Sequence, residues 1–182
     1  YADLIRAEAD RLGLEISAYT VYASLFQPTP EAQAKEIARI CDKIDIAKRL
    51  GAPLLRHDAL WKLGEGQERC FEMILPSIAA GARQVTEYAA SLGIRTCTEN
   101  HGMIAQDSDR MQALVLAVHH PNYGLLLDLG NFSCVDEDPV HAVSRLAPLA
   151  FHVHVKDFFR RSFAQGPADG FFQTRGCNYL QG

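Results

Sequence analysis

The 182-residue sequence lacks most of the patterns that mark a functional class outright. It has no CxxC pair and no zinc-finger spacing. Its five cysteines, at positions 41, 70, 97, 134 and 177, are odd in number and far apart, so reduced thiols in the cytoplasm are expected rather than a disulfide framework. Neither GxGxxG nor GxxxxGK occurs, which removes the usual dinucleotide and phosphate cradles. No apolar run approaches the length of a membrane span, and no signal-peptide pattern opens the chain. An excess of basic residues is missing too. The net charge is -4 with His neutral, which argues against a partner bound through its phosphates.

What is present is ordinary globular composition, 48% hydrophobic and 22% charged, in a length that fits one domain, residues 1–182. Strand and helix patterns alternate five times. Strands are expected at 14–20, 53–58, 94–100, 123–129 and 150–157. Helices are expected at 2–12, from Thr29 to Gly51, at 67–92, from Asp107 to about His119, and from Asp138 to about Leu149. From Phe158 onward the periodicity stops and a long loop is expected. Such alternation means parallel strands joined by helical crossovers. The choice is between an open doubly wound sheet and a closed (β/α)8 barrel, and the placing of polar residues favours the α/β barrel. A barrel needs about 250 residues. The chain is therefore expected to be a partial barrel, with an intact five-stranded open sheet as the alternative.

Three strand ends carry the chemistry. Glu99 ends IRTCTEN, Asp128 ends YGLLLDL, and His154 lies near the end of AFHVHVKD. In the last, alternation sets Phe151, Val153 and Val155 on one face and His152, His154 and Lys156 on the other. Glu99 and Asp128 are 29 residues apart, and Asp128 and His154 are 26 apart, each close to one strand–helix repeat. Consecutive parallel strands would bring the three to one rim. Two carboxylates and an imidazole suit Mn²⁺, Mg²⁺, Co²⁺ or Zn²⁺, and three protein ligands with open positions describe a catalytic site. Singly, each residue has a plainer role: Glu99 as a cap or ion-pair partner, Asp128 in an Asx turn, His154 as a hydrogen-bonded core residue.

Together, Glu99-Asn100-His101-Gly102, Asp128-Leu129-Gly130-Asn131-Phe132 and His152-Val153-His154-Val155-Lys156-Asp157 resemble the xylose-isomerase-like barrel superfamily. More closely they resemble its sugar (phosphate) isomerase/epimerase branch. The resemblance covers most of the chain and implies that its strands are about the third to the seventh of eight. It implies Glu99, Asp128 and His154 as metal ligands, with a fourth, a glutamate on the eighth strand, beyond this sequence. Its chemistry is proton abstraction beside a ketose carbonyl through a metal-stabilised enediolate, with Glu99 as metal ligand and one acid/base.

Asn131, His101, Lys156, Arg56 and His57 are candidates for substrate contact. Each has a rival role: Asn131 in a turn, His101 behind the ligands, Arg56 paired with Asp58, Lys156 paired with Asp157. Trp61 and Phe132 could wall a sugar or sit in the core. The expected partner is a small-molecule sugar, with no nucleic acid and no membrane; a homo-oligomer is compatible with this. Rival functions are an inosose-dehydratase-type lyase, an AP-endonuclease-like hydrolase, and a non-catalytic sugar-binding barrel. Asn131, where those nucleases hold a histidine, and the acidic charge count against the hydrolase.

Overall fold

The computed structural model describes residues 1–61, 63–102 and 104–181. Five parallel strands pair in the order they occur in the chain: β1 (Tyr19–Val21), β2 (Leu54–His57), β3 (Arg95–Glu99), β4 (Tyr123–Asp128) and β5 (Ala150–His154). The helices α1 (Ala2–Leu12), α2 (Pro30–Leu50), α3 (Phe71–Ser91), α4 (Ser108–Val118) and α5 (Pro139–Leu146) alternate with them. Among the described residues no helix is long and apolar enough to cross a membrane.

Three of the five helices, α2, α4 and α5, start where the sequence offers an oxygen for their free amide groups. Thr29, Asp107 and Asp138 accept from Ala32, Arg110 and His141 at 3.2, 3.0 and 3.0 Å. Such a cap is worth about 1 kcal/mol over alanine. Pro30 and Pro139 occupy first-turn positions, where proline loses no hydrogen bond.

The two faces of the sheet differ in kind. Leu55, Leu125 and Leu127 face the helices and join Ile40, Ile74, Ile78 and Leu114 in the main core. Hydroxyls on that side are paired: Thr86 with Thr96 at 2.6 Å, Thr98 with the Tyr123 hydroxyl at 2.7 Å. The opposite face has only a small apolar floor of Leu54, Cys97 and Leu126, with Ala18 and Phe151 against it. Above that floor come the polar strand ends. Sequential pairing, with the main core on one face, is the wall of a (β/α)8 barrel; a doubly wound sheet would reverse its order at a switch point. The chain folds as a partial barrel of five strands.

Three sequence expectations change. The first strand is only Tyr19–Val21, later and shorter than 14–20. In β5 the alternation is broken by a bulge: Leu125 pairs with Ala150, but Leu126 pairs with His152. Phe151 is the extra residue, and it turns to the polar face, where Arg95 lies 4.6 Å from its ring centre. Gly124 leaves it room; a Cβ there would stand 2.8 Å from both the Phe151 ring and the Leu149 carbonyl. Val153 and Val155, set by the expected alternation on the apolar face, are 46% and 81% exposed.

The third change concerns the expected loop. Residues 158–181 instead form a three-stranded antiparallel sheet: β6 (Phe158–Ser162), β7 (Phe172–Gln173) and β8 (Cys177–Gln181), in the order β6-β8-β7. Gly182 lies outside the described residues. Aromatic packing accounts for this sheet, since the Phe158, Phe172 and Tyr179 rings meet at 5.7–6.2 Å between centres.

Candidate metal centre

Parallel register sets the site. Glu99 pairs with Leu126, Leu126 with His152, and Asp128 with His154, so all these side chains leave one face at the C-terminal strand ends. One donor atom each from Glu99, Asp128 and His154 lies within 4.8 Å of the other two. His154 Nδ1 is 3.9 Å from Glu99 Oε1 and 4.0 Å from Asp128 Oδ2. Those gaps are too long for hydrogen bonds. They suit donors that each stand about 2.0–2.2 Å from a common ion. Two acids and one imidazole fit a divalent cation such as Mn²⁺, Mg²⁺, Co²⁺ or Zn²⁺.

Both acids are buried and aimed by neighbours. Asp128 Oδ1 accepts from the Gly130 and Asn131 amide groups, each at 3.0 Å, which leaves Oδ2 turned to the cluster. Its backbone is clasped by Asn100, whose amide nitrogen donates to the Asp128 carbonyl at 3.0 Å and whose oxygen accepts from the Asp128 N–H at 2.8 Å. Glu99 Oε2 pairs with Arg56 at 2.6 Å, and Glu99 Oε1 accepts from Asn131 Nδ2 at 3.2 Å. Asn131 is fixed in turn by Gln106, which donates to its carbonyl at 2.7 Å. Such supporting hydrogen bonds commonly orient metal ligands. Cys97 lies below Glu99; burial pushes its thiol up to about 12, so it remains protonated at neutral pH.

The remaining sequence candidates separate. Asn131, Arg56, His101 and Lys156 are all at the site. Lys156 Nζ lies 3.3 Å from Asp128 Oδ2, so it pairs with a candidate ligand and not with Asp157. Asp157 accepts instead from the Phe158 N–H at 2.7 Å. Arg56 pairs with Asp58 as well as with Glu99, at 2.8 Å. His101 stands against Asp58, with 3.2 Å from Nδ1 to Oδ1, and lies 4.5 Å from Trp61 between ring centres.

His57 is the exception. It pairs in register with Thr98 on the helix-facing side, is fully buried, and touches none of the cluster. Its Nδ1 donates to the Asp58 carbonyl at 3.0 Å, and its Nε2 has no partner among the described residues. Burial holds its pKa below the ordinary 6.5. Adjacent strand residues point to opposite faces, so Arg56 and His57 could not both face a ligand.

A cleft of about 1060 Å³ opens beside the cluster, lined by its neighbours Asn131 and Lys156 and by His101, Trp61, Phe172 and Arg175. Trp61 is 40% exposed there, whereas Phe132 is wholly in the core. Gly130 lets the β4 loop approach this wall; a Cβ would come within 2.7 Å of Lys156 Cγ and 3.0 Å of the Lys156 carbonyl.

Sequence reasoning gave no role to Asn100 or Gln106, and named Asp58 only as the rival partner of Arg56, a pair that the structure contains. Asp58 had a signal, being an acid at a strand end like Glu99 and Asp128. Asn100 and Gln106 had none, because their partners are backbone groups of other segments.

The family described as a xylose isomerase-like TIM barrel matches residues 1–179. No curated protein matches the chain. Solved structures share its fold. A D-psicose 3-epimerase from Clostridium cellulolyticum H10, solved with D-tagatose, is 18% identical with a TM-score of 0.73 over 85% of this chain and 58% of its own. A xylose isomerase-like TIM barrel protein from Mycobacterium smegmatis, in complex with magnesium, is 19% identical with a TM-score of 0.71 over 97% and 60%. The probable 3-DHS dehydratase AsbF from Bacillus anthracis is 21% identical with a TM-score of 0.70 over 85% and 56%. The chain thus spans little more than half the length of these three proteins.

Proposed function

The chain belongs to the xylose isomerase-like TIM-barrel family, and from that premise we propose that it serves a divalent-metal-dependent isomerase or epimerase of a sugar or sugar phosphate. The convergence of Glu99, Asp128 and His154 at three successive strand ends carries this reading. A bound cation would polarise the ketose carbonyl and offset charge developing on its oxygen. Glu99 would take the proton from the neighbouring carbon, held to that task by Arg56 and Asn131. Trp61 offers a flat wall to the sugar, and Lys156 a cation at the mouth of the cleft. Solved relatives that act on ketoses support the substrate class, and the relative with magnesium supports the cofactor.

A dehydratase on the same site is the second reading. His101 favours it, because with Nδ1 donating to Asp58 the imidazolium form of the ring would give its Nε2 proton to the hydroxyl, which leaves as water.

The test is divalent metal content of the protein beside Asp128→Ala, followed by NMR of a ketose panel in D₂O with Mn²⁺ supplied. Expected are near-stoichiometric metal lost in the variant, deuterium entering next to the carbonyl, and an epimer or isomer appearing. A dehydrated product would select the second reading. No metal in the wild type, even after Mn²⁺ is supplied, would overturn both.

A further inference from the structure

Asp58 is a third acid at a strand end, outside the candidate ligand set. It is 2% exposed and both its oxygens are engaged. Oδ1 forms an ion pair with Arg56 Nη2 at 2.8 Å and accepts from His101 Nδ1 at 3.2 Å; Oδ2 accepts from the Ala23 N–H at 3.4 Å. Burial alone would raise its pKa, but the His101 hydrogen bond and the Arg56 charge hold it below the ordinary carboxylate value.

The nitrogen of Arg56 that meets Asp58 also meets Glu99, with 2.6 Å from Nη2 to Oε2. Nη2 thus stands between the two acids, and 3.3 Å from His101 Nδ1. Arg56 Nε has no acceptor among the described residues, and the side chain is almost wholly buried. A buried guanidinium facing a single carboxylate favours a two-pronged grip on both oxygens. Here the grip is divided. Glu99 gives Oε2 to Arg56 and keeps Oε1 turned towards His154 and Asn131.

We propose that Asp58 is a positioning residue for the metal centre: by sharing Arg56, it keeps the guanidinium from closing on both oxygens of Glu99 and leaves one free for the cation. The proposal rests on the metal reading above. Asp58 also holds the His101 ring against Trp61 at the edge of the cleft, so one carboxylate at the end of β2 braces both sides of the mouth.

The test is Mn²⁺ titration by calorimetry of the wild type, Asp58→Asn, Arg56→Gln and the double variant. Asparagine keeps the size of Asp58 and an oxygen for His101, and thermal unfolding without metal shows whether the fold survives. Should Asn not fold, Asp58→Ser takes its place. The Asp58 change is expected to weaken Mn²⁺ binding by about 10–100-fold, the usual loss for a group that supports a ligand. In the Arg56→Gln background the same change should matter less than about twofold, because its route is gone. Equal losses in both backgrounds would overturn positioning through Arg56. Unchanged affinity in Asp58→Asn would overturn the proposal and leave the metal centre standing. A wild type that binds no Mn²⁺ would overturn the metal reading itself.

Discussion

Glu99 and Asp128 end strands in the middle of the sheet, with side chains 10% and 4% exposed, whereas His154 ends the edge strand β5 and its side chain is 45% exposed. Asp128 accepts from Gly130 and Asn131 just after it and is clasped at its backbone by Asn100, and Glu99 accepts from Asn131 and pairs with Arg56. His154 is tied through its backbone, whose carbonyl accepts from the Leu129 N–H at 3.0 Å, and its ring meets His152 edge-on at 5.6 Å. The acidic half is therefore set by the fold. On the histidine side the backbone is set.

Asn100→Ala should break this asymmetry most severely. Asn100 is buried and makes two hydrogen bonds to the Asp128 backbone, at 2.8 and 3.0 Å. Alanine would strand a buried N–H and a buried carbonyl, at about 1–3 kcal/mol each. The expected loss is about 2–4 kcal/mol of stability in chemical denaturation, with Mn²⁺ affinity falling alongside. A loss under about 0.5 kcal/mol, within the range of ordinary surface changes, would show that the acidic half is not set by this clasp.

The acid–histidine contrast was only half visible in the sequence. Period-two counting and repeat spacing placed Glu99, Asp128 and His154 at one rim because side chains at strand ends obey local rules. The same counting failed inside β5. A bulge adds one residue without any local mark, and Phe151 crossed to the polar face against Arg95 and Gly124. The small sheet at 158–181 was missed for a related reason. Its strands are held by register between segments far apart, Phe158 opposite Gln181 and Ser162 opposite Cys177, and no window of sequence reveals that. Asn131 was legible as a polar residue near a ligand, but its aim at Glu99 depends on Gln106 from another loop. His57 was a different failure, since the alternation that placed His154 already sends Arg56 and His57 to opposite faces.

His57 sharpens the contrast from behind the acidic half. It is buried and kept neutral, and its pKa lies below the ordinary 6.5 because burial disfavours the charged ring. The Asp58 carbonyl and the charges of Asp58 and Glu36 favour the proton, and Arg56 opposes it, without reversing the effect of burial. The unfolded chain takes up this proton near pH 6.5 while the folded chain resists. His57 therefore costs nothing above pH 6.5, and stability falls as pH drops below it. The slope approaches about 1.4 kcal/mol per pH unit until the lower folded pKa is reached. His57→Leu should remove that part of the slope between pH 6.5 and 5.5, read from denaturation at several pH values. An unchanged slope would mean that other groups carry the acid sensitivity.

The smallest expected effect lies on the open side. Lys156 Nζ stands 3.3 Å from Asp128 Oδ2 and 5.5 Å above the Phe158 ring, and its side chain is 24% exposed. Asp128 Oδ2 is the oxygen that faces His154, so on the proposed metal reading the ammonium and a divalent cation would compete for it. A partly exposed pair of this kind is worth about 0–1 kcal/mol, because solvent screens it and the long side chain loses freedom. Lys156→Met keeps the stem against Phe158 and removes the competitor. Mn²⁺ affinity is then expected to rise by up to about fivefold, the equivalent of that energy. If affinity falls instead, Lys156 supports the centre and does not compete with it. The open half would then be organised as the acidic half is, by groups that hold a ligand in place before the ion arrives.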